Sequence, residues 1–265
     1  MPVRKEDIAQ AARIDCLETL TNAKSPHIGS ALSSIDLLVH LYEEYFNSSD
    51  RNKQDNRLVF SKGHAGVACY SVMRTLGIIS SEQLATYCKD GSFFFGHISH
   101  LAHPSIELST GSLGHGLPFG IGLAYAKKLK KESGIVFVIL SDGEMDEGTT
   151  WESALLASKL GLGNLVCIVD RNRLQSIENT ESTLPLDPLD QKWTSFGWYA
   201  TILDGHDFES LMEIEPAQYQ PSIFIAETTK GKGVSWMEDD ITWHYKWPDT
   251  MQLEKAIEEL EMEDN

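Results

Sequence analysis

The chain has 265 residues and carries 22 lysines and arginines against 39 aspartates and glutamates, a formal net charge of -17. A polyanion of this kind is a poor partner for nucleic acid or for acidic lipid headgroups, because phosphate groups are bound by clustered cations. The four cysteines form no CxxC pair, no apolar run approaches the roughly 20 residues that cross a bilayer, and the charged start is unlike a signal peptide, so we expect a cytoplasmic protein without disulfides or zinc.

Helical periodicity dominates the start of the chain. Apolar residues recur at helical spacing over 6–20 and again over 32–42, which predicts two amphipathic helices. The segment between them, 25–30, is rich in turn-forming residues and carries His27. We therefore expect His27 on a loop, where binding and catalytic residues are concentrated.

A second histidine follows the first predicted strand. Residues 58–60 form a short apolar run, and the segment around His64 then leads into a helix that ends near Leu76. Farther along, the glycine-rich stretch 111–116 opens a helix that reaches Leu129. Glycines at a helix start let a ligand or a neighbouring helix approach the backbone closely.

Three short β-branched runs, 135–140, 165–170 and 223–227, are typical of strands buried on both faces of a parallel sheet. A helix over about 149–160 connects the first two, and the right-handed crossover of such a unit brings both strand ends to one edge of the sheet. A further strand is expected over 199–203. The pattern predicts an α/β fold that is doubly wound, with a mainly parallel sheet flanked by helices.

The chain is predicted to form a single domain over 1–265, since no internal repeat, low-complexity linker or composition change divides it. A chain of this length buries a full hydrophobic core. Its acidic final segment, 254–265, favours a helix and is expected to be a solvated end.

Candidate ligand groups follow two of the predicted strands. Asp142 and Gly143 come at the end of one strand, and Asn172 follows the end of the next. Because neighbouring parallel strands end at the same edge, Asp142 and Asn172 can share an oxygen-coordinated cation, and Mg²⁺ is usually held by one or two carboxylates together with a phosphorylated ligand. Either group alone is common in turns, so a structural role stays open beside a metal and phosphate site.

Several motifs in order resemble one family. The stretch 141–152 together with 164–175 resembles the thiamine diphosphate motif of transketolases, most closely that of the separately encoded N-terminal subunit of split transketolases. The resemblance extends over nearly the whole chain and includes the segments 25–30, 60–65, 109–116, 196–207 and 229–237. It implies the diphosphate-binding domain of that fold, with thiamine diphosphate and Mg²⁺ (or Ca²⁺ or Mn²⁺ in its place). The reaction it implies is transfer of a two-carbon ketol unit from a ketose to an aldose or aldehyde.

The resemblance also implies how this chain binds the cofactor. Asp142, Asn172 and the carbonyl of Leu174 become ligands of Mg²⁺, and Gly143 lets the diphosphate approach the backbone. The further cofactor contacts that it implies are His64, Gly111, Leu113, Glu147 and His244.

Catalytic roles follow from the same resemblance. Four histidines, which handle substrate protons or face the substrate carbonyl, are expected to be catalytic: His27, His64, His97 and His244. Glu147 and Glu152 match acids at the subunit interface, where they meet the glutamate that protonates the aminopyrimidine ring of the cofactor. For Glu147 a structural alternative is the helix N-terminus, which favours negative charge without any partner.

The chain departs from the family pattern at several positions. Ser141 stands where the motif has glycine, Ser176 stands where an apolar side chain touches the cofactor ring, and Pro26 precedes rather than follows the position of His27. These differences bear on substrate identity and on individual cofactor contacts rather than on the fold.

The resemblance ends before the pyrimidine-binding and C-terminal domains of the family, which carry the activating glutamate. It therefore implies a partner, a C-terminal transketolase subunit in a heterotetramer, with each active site at an interface and with sugar or sugar-phosphate substrates. The isolated chain is expected to be inactive.

Two other interpretations stay open. A specialised transketolase-like enzyme of sugar or secondary metabolism, with an unusual acceptor, fits Ser141 and the short segment 211–221. A noncatalytic nucleotide-binding or regulatory subunit is suggested by 114–120, which loosely matches a dinucleotide-binding glycine pattern. That match is weak, because no clear strand precedes it and no acid follows at the required spacing.

Overall fold

The computed structural model describes residues 3–46 and 55–262. Its five strands are β1 (Arg57–Phe60), β2 (Val136–Ser141), β3 (Leu165–Arg171), β4 (Tyr199–Asp204) and β5 (Ser222–Glu227). The longer helices are Lys5–Ala23, Ile35–Leu41, Gly66–Thr75, Gly116–Lys130, Gly148–Leu160, Leu189–Ser195 and Thr250–Met262. The shorter helices and helical turns are Ile28–Leu32, Tyr42–Phe46, Gly63–Ala65, Ser81–Leu84, Asp142–Asp146, Thr180–Thr183, Phe208–Leu211 and Ile241–His244. In the described ranges, no helix is long and apolar enough to cross a membrane.

The strands form one parallel sheet in the order β1-β2-β3-β5-β4. Neighbours β2 and β3 are in register, with Ser141 opposite Asp170. The segments that follow these two strands therefore leave the sheet side by side, which confirms the predicted parallel α/β fold and the predicted proximity of the two strand ends.

The two faces of the sheet pack into separate cores. In β2, Phe137 belongs to the core that also contains residues of helix Lys5–Ala23, whereas its neighbour Val138 belongs to the core that contains residues of helix Gly116–Lys130. Alternate residues of a strand point to opposite faces, so continuous apolar runs are what a sheet covered on both sides requires. The doubly wound arrangement is thereby confirmed.

The loop predicted over 25–30 is wrong in its second half, because a helix begins at Ile28 directly after His27. Gly29 is buried, and a Cβ added there would lie 3.0 Å from the side chain of Lys230. The small residues of this segment serve close packing as well as turning, and composition alone does not separate the two uses.

The helix predicted over 32–42 is divided in the structure. It consists of the end of Ile28–Leu32 and of Ile35–Leu41, with Ser33 and Ser34 between them. Both serine hydroxyls donate to the buried carboxylate of Asp170, at 2.7 and 2.8 Å. Hydroxyls that bond elsewhere compete with helical hydrogen bonding, which explains the interruption.

The C-terminal helix is a correction to the predicted solvated end. Helix Thr250–Met262 buries Ala256 and Leu260, one helical turn apart, and packs against helix Lys5–Ala23. Residues 263–265 lie outside the described residues.

Candidate active site

A cavity of about 350 Å³ opens at the carboxyl ends of β1, β2 and β3. It is lined by all but one of the predicted site residues, namely His27, His64, His97, Gly111, Leu113, Asp142, Gly143, Glu147, Asn172, Leu174 and His244. The exception is Glu152, which is exposed on helix Gly148–Leu160 outside the cavity. Topology thus brings together residues from widely separated parts of the chain.

Asp142 is the most buried acidic group of the cavity wall, with 2% of its surface exposed. Its Oδ1 accepts from the amide of Gly143 at 2.8 Å and its Oδ2 from the amide of Arg173 at 2.7 Å. Burial, followed by the nearby carboxylate of Asp170, raises the pKa of Asp142 to about 6. The charged form of such a carboxyl group is stabilised by any cation that binds beside it.

Asn172 and Leu174 provide the other two oxygens that the sequence predicted as ligands. The Asn172 side chain is buried, and its Oδ1 accepts from the amide of Leu174 at 3.2 Å. Among the described residues, no group of three or more His, Cys, Asp and Glu side chains is arranged to hold a metal ion. The predicted set differs in kind, since it uses one carboxylate, one amide oxygen and one backbone carbonyl.

Lys230 is a residue that the sequence analysis missed. Its side chain is fully buried, and its Nζ donates to the carbonyls of Leu174 at 3.1 Å and Gln175 at 3.0 Å and lies 3.3 Å from Nδ1 of His244. Burial lowers the pKa of Lys230 to about 8, so the group keeps a substantial positive charge near neutrality. The signal was available, because Lys230 follows β5 at the edge where Asp142 also lies.

A second buried lysine lies at the floor of the cavity. Lys62 pairs with Asp170, and its Nζ also donates to the Ser30 carbonyl at 3.0 Å and to the Ser34 hydroxyl at 2.9 Å. Both members of the ion pair are fully buried. The pair joins β1, β3 and the helix after His27, so it fixes the relative positions of the three segments that carry the site.

The four predicted histidines form one cluster around His27. The centroid of the His27 ring lies 5.4 Å from that of His64, 5.9 Å from that of His97 and 4.8 Å from that of His244. The His27 amide also donates to the His244 carbonyl at 2.9 Å. The backbone of His27 has φ 78°, in the left-handed region that non-glycine residues seldom occupy, and such conformations persist where the surrounding structure imposes them.

Three of these imidazoles are neutral near pH 7. Burial, then the neighbouring His97 and Lys230, lowers the pKa of His27 to about 4. Burial and Lys230 lower the pKa of His244 to about 3, and burial with Lys62 holds the pKa of His64 well below its usual range. Neutral imidazoles can both donate and accept a hydrogen bond, so the cluster is able to exchange protons with a hydroxyl or carbonyl group.

Close backbone approach explains the position of His64. A Cβ added to Gly63 would lie 2.1 Å from the carbonyl oxygen of Thr110, so only glycine fits there. The turn that carries His64 is therefore pressed against the segment that leads into Gly111 and Leu113. This places the imidazole beside the backbone predicted to contact a cofactor.

Glu144 is another residue that the sequence analysis left without a role. Its buried carboxylate accepts from the amides of Gly114 and Ser141, each at 2.9 Å, and from the hydroxyl of Ser61. It thereby joins the ends of β1 and β2 to the glycine-rich segment, and we assign it a structural function.

Comparison with known proteins follows this geometry closely. The protein-family model described as the transketolase, thiamine diphosphate binding domain matches residues 4–246. One of the two named chains of the apulose-4-phosphate transketolase of Phocaeicola vulgatus is 37% identical over 251 residues, which cover 92% of this chain and 89% of that protein. The 6-deoxy-6-sulfo-D-fructose transketolase subunit of a Clostridium species is 32% identical, with 93% of this chain and 92% of that protein covered.

Solved structures agree with these relatives on the fold. The crystal structure of transketolase from Campylobacter jejuni superposes with a TM-score of 0.88 and 25% identity, and covers 98% of this chain but only 43% of that protein. The chain therefore corresponds to less than half of a single-chain transketolase, whereas it matches the named subunits over nearly their whole length.

Proposed function

Since the chain belongs to the transketolase family, as its thiamine diphosphate binding domain, we propose that it is the N-terminal subunit of a two-chain transketolase. In this role it contributes to a transferase that moves a two-carbon ketol unit from a ketose to an aldose or aldehyde. The observation that carries the proposal is the convergence of three oxygen ligands, a buried lysine and four histidines at one cavity on the edge of the parallel sheet.

The residues present fit a divalent cation and a diphosphate. Mg²⁺ prefers hard oxygen ligands and commonly shares its coordination sphere with phosphate oxygens. Asp142, Asn172 and the Leu174 carbonyl offer such oxygens, and Lys230 adds a positive charge beside them. We propose that these residues hold Mg²⁺ and the cofactor diphosphate, with Ca²⁺ or Mn²⁺ able to replace the magnesium, and that Gly111, Leu113 and Gly143 contact the cofactor through their backbone.

When bound, thiamine diphosphate supplies the nucleophilic carbon and the electron sink for cleavage of the carbon–carbon bond. The protein supplies position and proton transfer. His27 and His244, neutral near pH 7 and in edge contact, are suited to accept a proton from a substrate hydroxyl and return it. His64 and His97 line the same cavity, and we assign them to orienting the carbonyl end of the substrate.

A second subunit completes the proposed active site. Relatives that match this chain over nearly their whole length are named as subunits, which supports a C-terminal transketolase partner, and we propose a heterotetramer. Glu147 lies exposed at the mouth of the cavity and Glu152 is exposed nearby on the following helix, so both carboxylates are available to a partner.

The proposed substrates are sugars or sugar phosphates. The two relatives of similar length are named for apulose-4-phosphate and for 6-deoxy-6-sulfo-D-fructose, which are different sugars with different charged groups. This divergence supports the second candidate function, a specialised transketolase of sugar metabolism with an unusual acceptor.

Co-expression with the companion subunit tests the function. The complex, supplied with thiamine diphosphate and Mg²⁺, should transfer a two-carbon unit from one of a panel of ketoses to an aldehyde, whereas the isolated chain should not. Asp142→Ala should reduce this activity by at least about 10²-fold, the scale expected when one essential electrostatic group is removed. Asp90→Ala removes an exposed aspartate that does not line the cavity and should leave the activity unchanged. Full activity of the Asp142 variant would contradict the assignment of the metal site.

A further inference from the structure

The segment 229–233, which follows β5, carries Lys230 to the cavity. Both ends of this segment are held by side chains that do not line the cavity themselves. His206 accepts a hydrogen bond at Nε2 from the amide of Thr229, at 2.8 Å. Arg13 donates from Nε to the carbonyl of Lys232, at 3.2 Å.

Asp36 connects these two anchors. Its Oδ2 lies 2.7 Å from Nδ1 of His206 and also pairs with the guanidinium of Arg13. The result is an unbroken chain of hydrogen bonds that runs from Thr229 through three side chains to Lys232. Arg13 and Asp36 are 7% and 4% exposed, so these bonds are largely shielded from water.

The bonding pattern fixes the tautomer of His206. Because Nε2 accepts from a backbone amide, it carries no proton, and Nδ1 must then donate to the carboxylate of Asp36. A carboxylate that accepts from the far nitrogen of a histidine holds both the tautomer and the ring orientation, as it does behind metal-bound histidines. Asp36 itself is held by Arg13, which belongs to a different helix.

The arrangement differs from ordinary core packing in what it positions. It grips the two peptide groups that flank Lys230, on the carboxyl-terminal side of Thr228 and at Lys232, while the Lys230 ammonium group bonds to the carbonyl of Leu174. Backbone position therefore decides where the ammonium group lies. A lysine has four rotatable bonds, so fixing its Cα removes much of the freedom that would otherwise weaken its contact with an anion.

We propose that Arg13, Asp36 and His206 form a buried clamp that positions Lys230 for the diphosphate of the cofactor. The clamp rests on the proposed function, since it acts through the role given there to Lys230. His206, Asp36 and Arg13 are positioning residues and make no contact with cofactor or substrate.

Substitution at His206 tests the clamp. In the complex with the companion subunit, His206→Leu should raise the dissociation constant for thiamine diphosphate by about 10–100-fold, the effect of losing a supporting group behind a ligand-binding residue. In calorimetric titrations with Mg²⁺ in excess, His206→Gln should recover most of the affinity, because its amide can accept from Thr229 and donate to Asp36. His40→Leu, which removes a buried histidine that makes no hydrogen bond, is the matched control and should leave the affinity unchanged.

Hydrogen exchange gives a readout that is independent of the cofactor. Amides over 229–233 should exchange faster in His206→Leu than in the native chain, while amides of β2 and β3 should not. Arg13→Lys keeps a cation beside Asp36 but loses the bond to Lys232, and should show the same local change if the leucine variant does not fold.

A double-mutant cycle separates failure of the clamp from failure of the proposed function. Lys230→Met alone should weaken cofactor binding, and adding His206→Leu to it should cost little more, because a positioning residue has no effect once its target is gone. Additive losses, or unchanged exchange over 229–233, would overturn the clamp. A Lys230→Met variant with native affinity would instead refute the role of Lys230 in the proposed function.

Discussion

At the scale of single residues, the buried histidines outside the cavity are as informative as those within it. His40 is 1% exposed, and neither of its ring nitrogens has a hydrogen-bond partner. Burial, followed by Lys5, lowers the pKa of His40 to about 4. An unfolded histidine titrates near 6.5, so the unfolded chain binds a proton that the folded chain refuses between these two values.

This difference predicts that His40 destabilises the fold in mild acid. The contribution is absent above pH 6.5 and grows as the pH falls toward 4, reaching about 2 kcal/mol at pH 5. His40→Leu should therefore lose less stability than the native chain between pH 7.5 and pH 5, by about that amount, in urea unfolding at the two pH values. The exposed His100→Leu serves as control. Equal pH dependence in the native and His40→Leu chains would show that this imidazole is charged in the fold.

At the scale of elements, contact between a helix and the sheet can be examined with two glycines of one helix. In Gly116–Lys130, Gly120 lies against β2, where an added Cβ would come within 2.5 Å of a methyl group of Val138. Gly122 faces open space, with no atom within 4 Å of such a Cβ. The two positions share the same helix and the same intrinsic propensity, so they differ only in packing.

Alanine at these positions should have opposite effects. Gly122→Ala should stabilise the chain by about 0.5–1 kcal/mol through helix propensity. Gly120→Ala gains the same propensity but forces Val138 aside, and β-branched side chains have little rotamer freedom, so we expect a net loss of about 1–2 kcal/mol. Thermal unfolding should move the two midpoints in opposite directions by about 2–4 °C per kcal/mol. Two variants with equal midpoints would show that this helix is not packed as closely as described.

Elements that bury a continuous apolar run could be predicted from the sequence, and so could the edge where they end. β2 and β3 were evident because both faces of each strand are covered, and parallel topology then placed Asp142 beside Asn172. Lys62 and Lys230 escaped prediction for the opposite reason. A lysine is ordinarily a surface residue, and its burial here depends on Asp170 and on backbone carbonyls that come from distant parts of the chain. The roles of the histidines came from the resemblance, since nine histidines in a chain carry no information on which of them meet.

At the scale of the whole molecule, the net charge and the proposed ligand have the same sign. A chain with a charge of -17 repels a diphosphate at long range, so binding must come from local groups. Lys62 and Lys230 lie at a cavity that is open at one side, and their charge is little screened there because both side chains are buried. A divalent cation beside Asp142 would reverse the remaining negative charge of the wall. Cofactor affinity should accordingly depend on Mg²⁺ far more than on ionic strength, which titrations across a salt series with and without Mg²⁺ would measure.

Glu152 supplies the prediction that belongs to the assembly and not to the isolated chain. It is exposed, and the following turn of the same helix leaves Leu155 and Leu156 exposed at 59% and 51%, an apolar surface beside a carboxylate. Glu152→Gln should change the stability of the isolated chain by no more than about 0.5 kcal/mol, as surface substitutions do. In the complex it should lower the transfer activity at least about tenfold, since a carboxylate buried at an interface loses a charged partner. Glu258→Gln, at an exposed position of the C-terminal helix on the other face of the sheet, should change neither quantity. Activity of the Glu152 variant equal to that of the Glu258 variant would place the partner on a different surface.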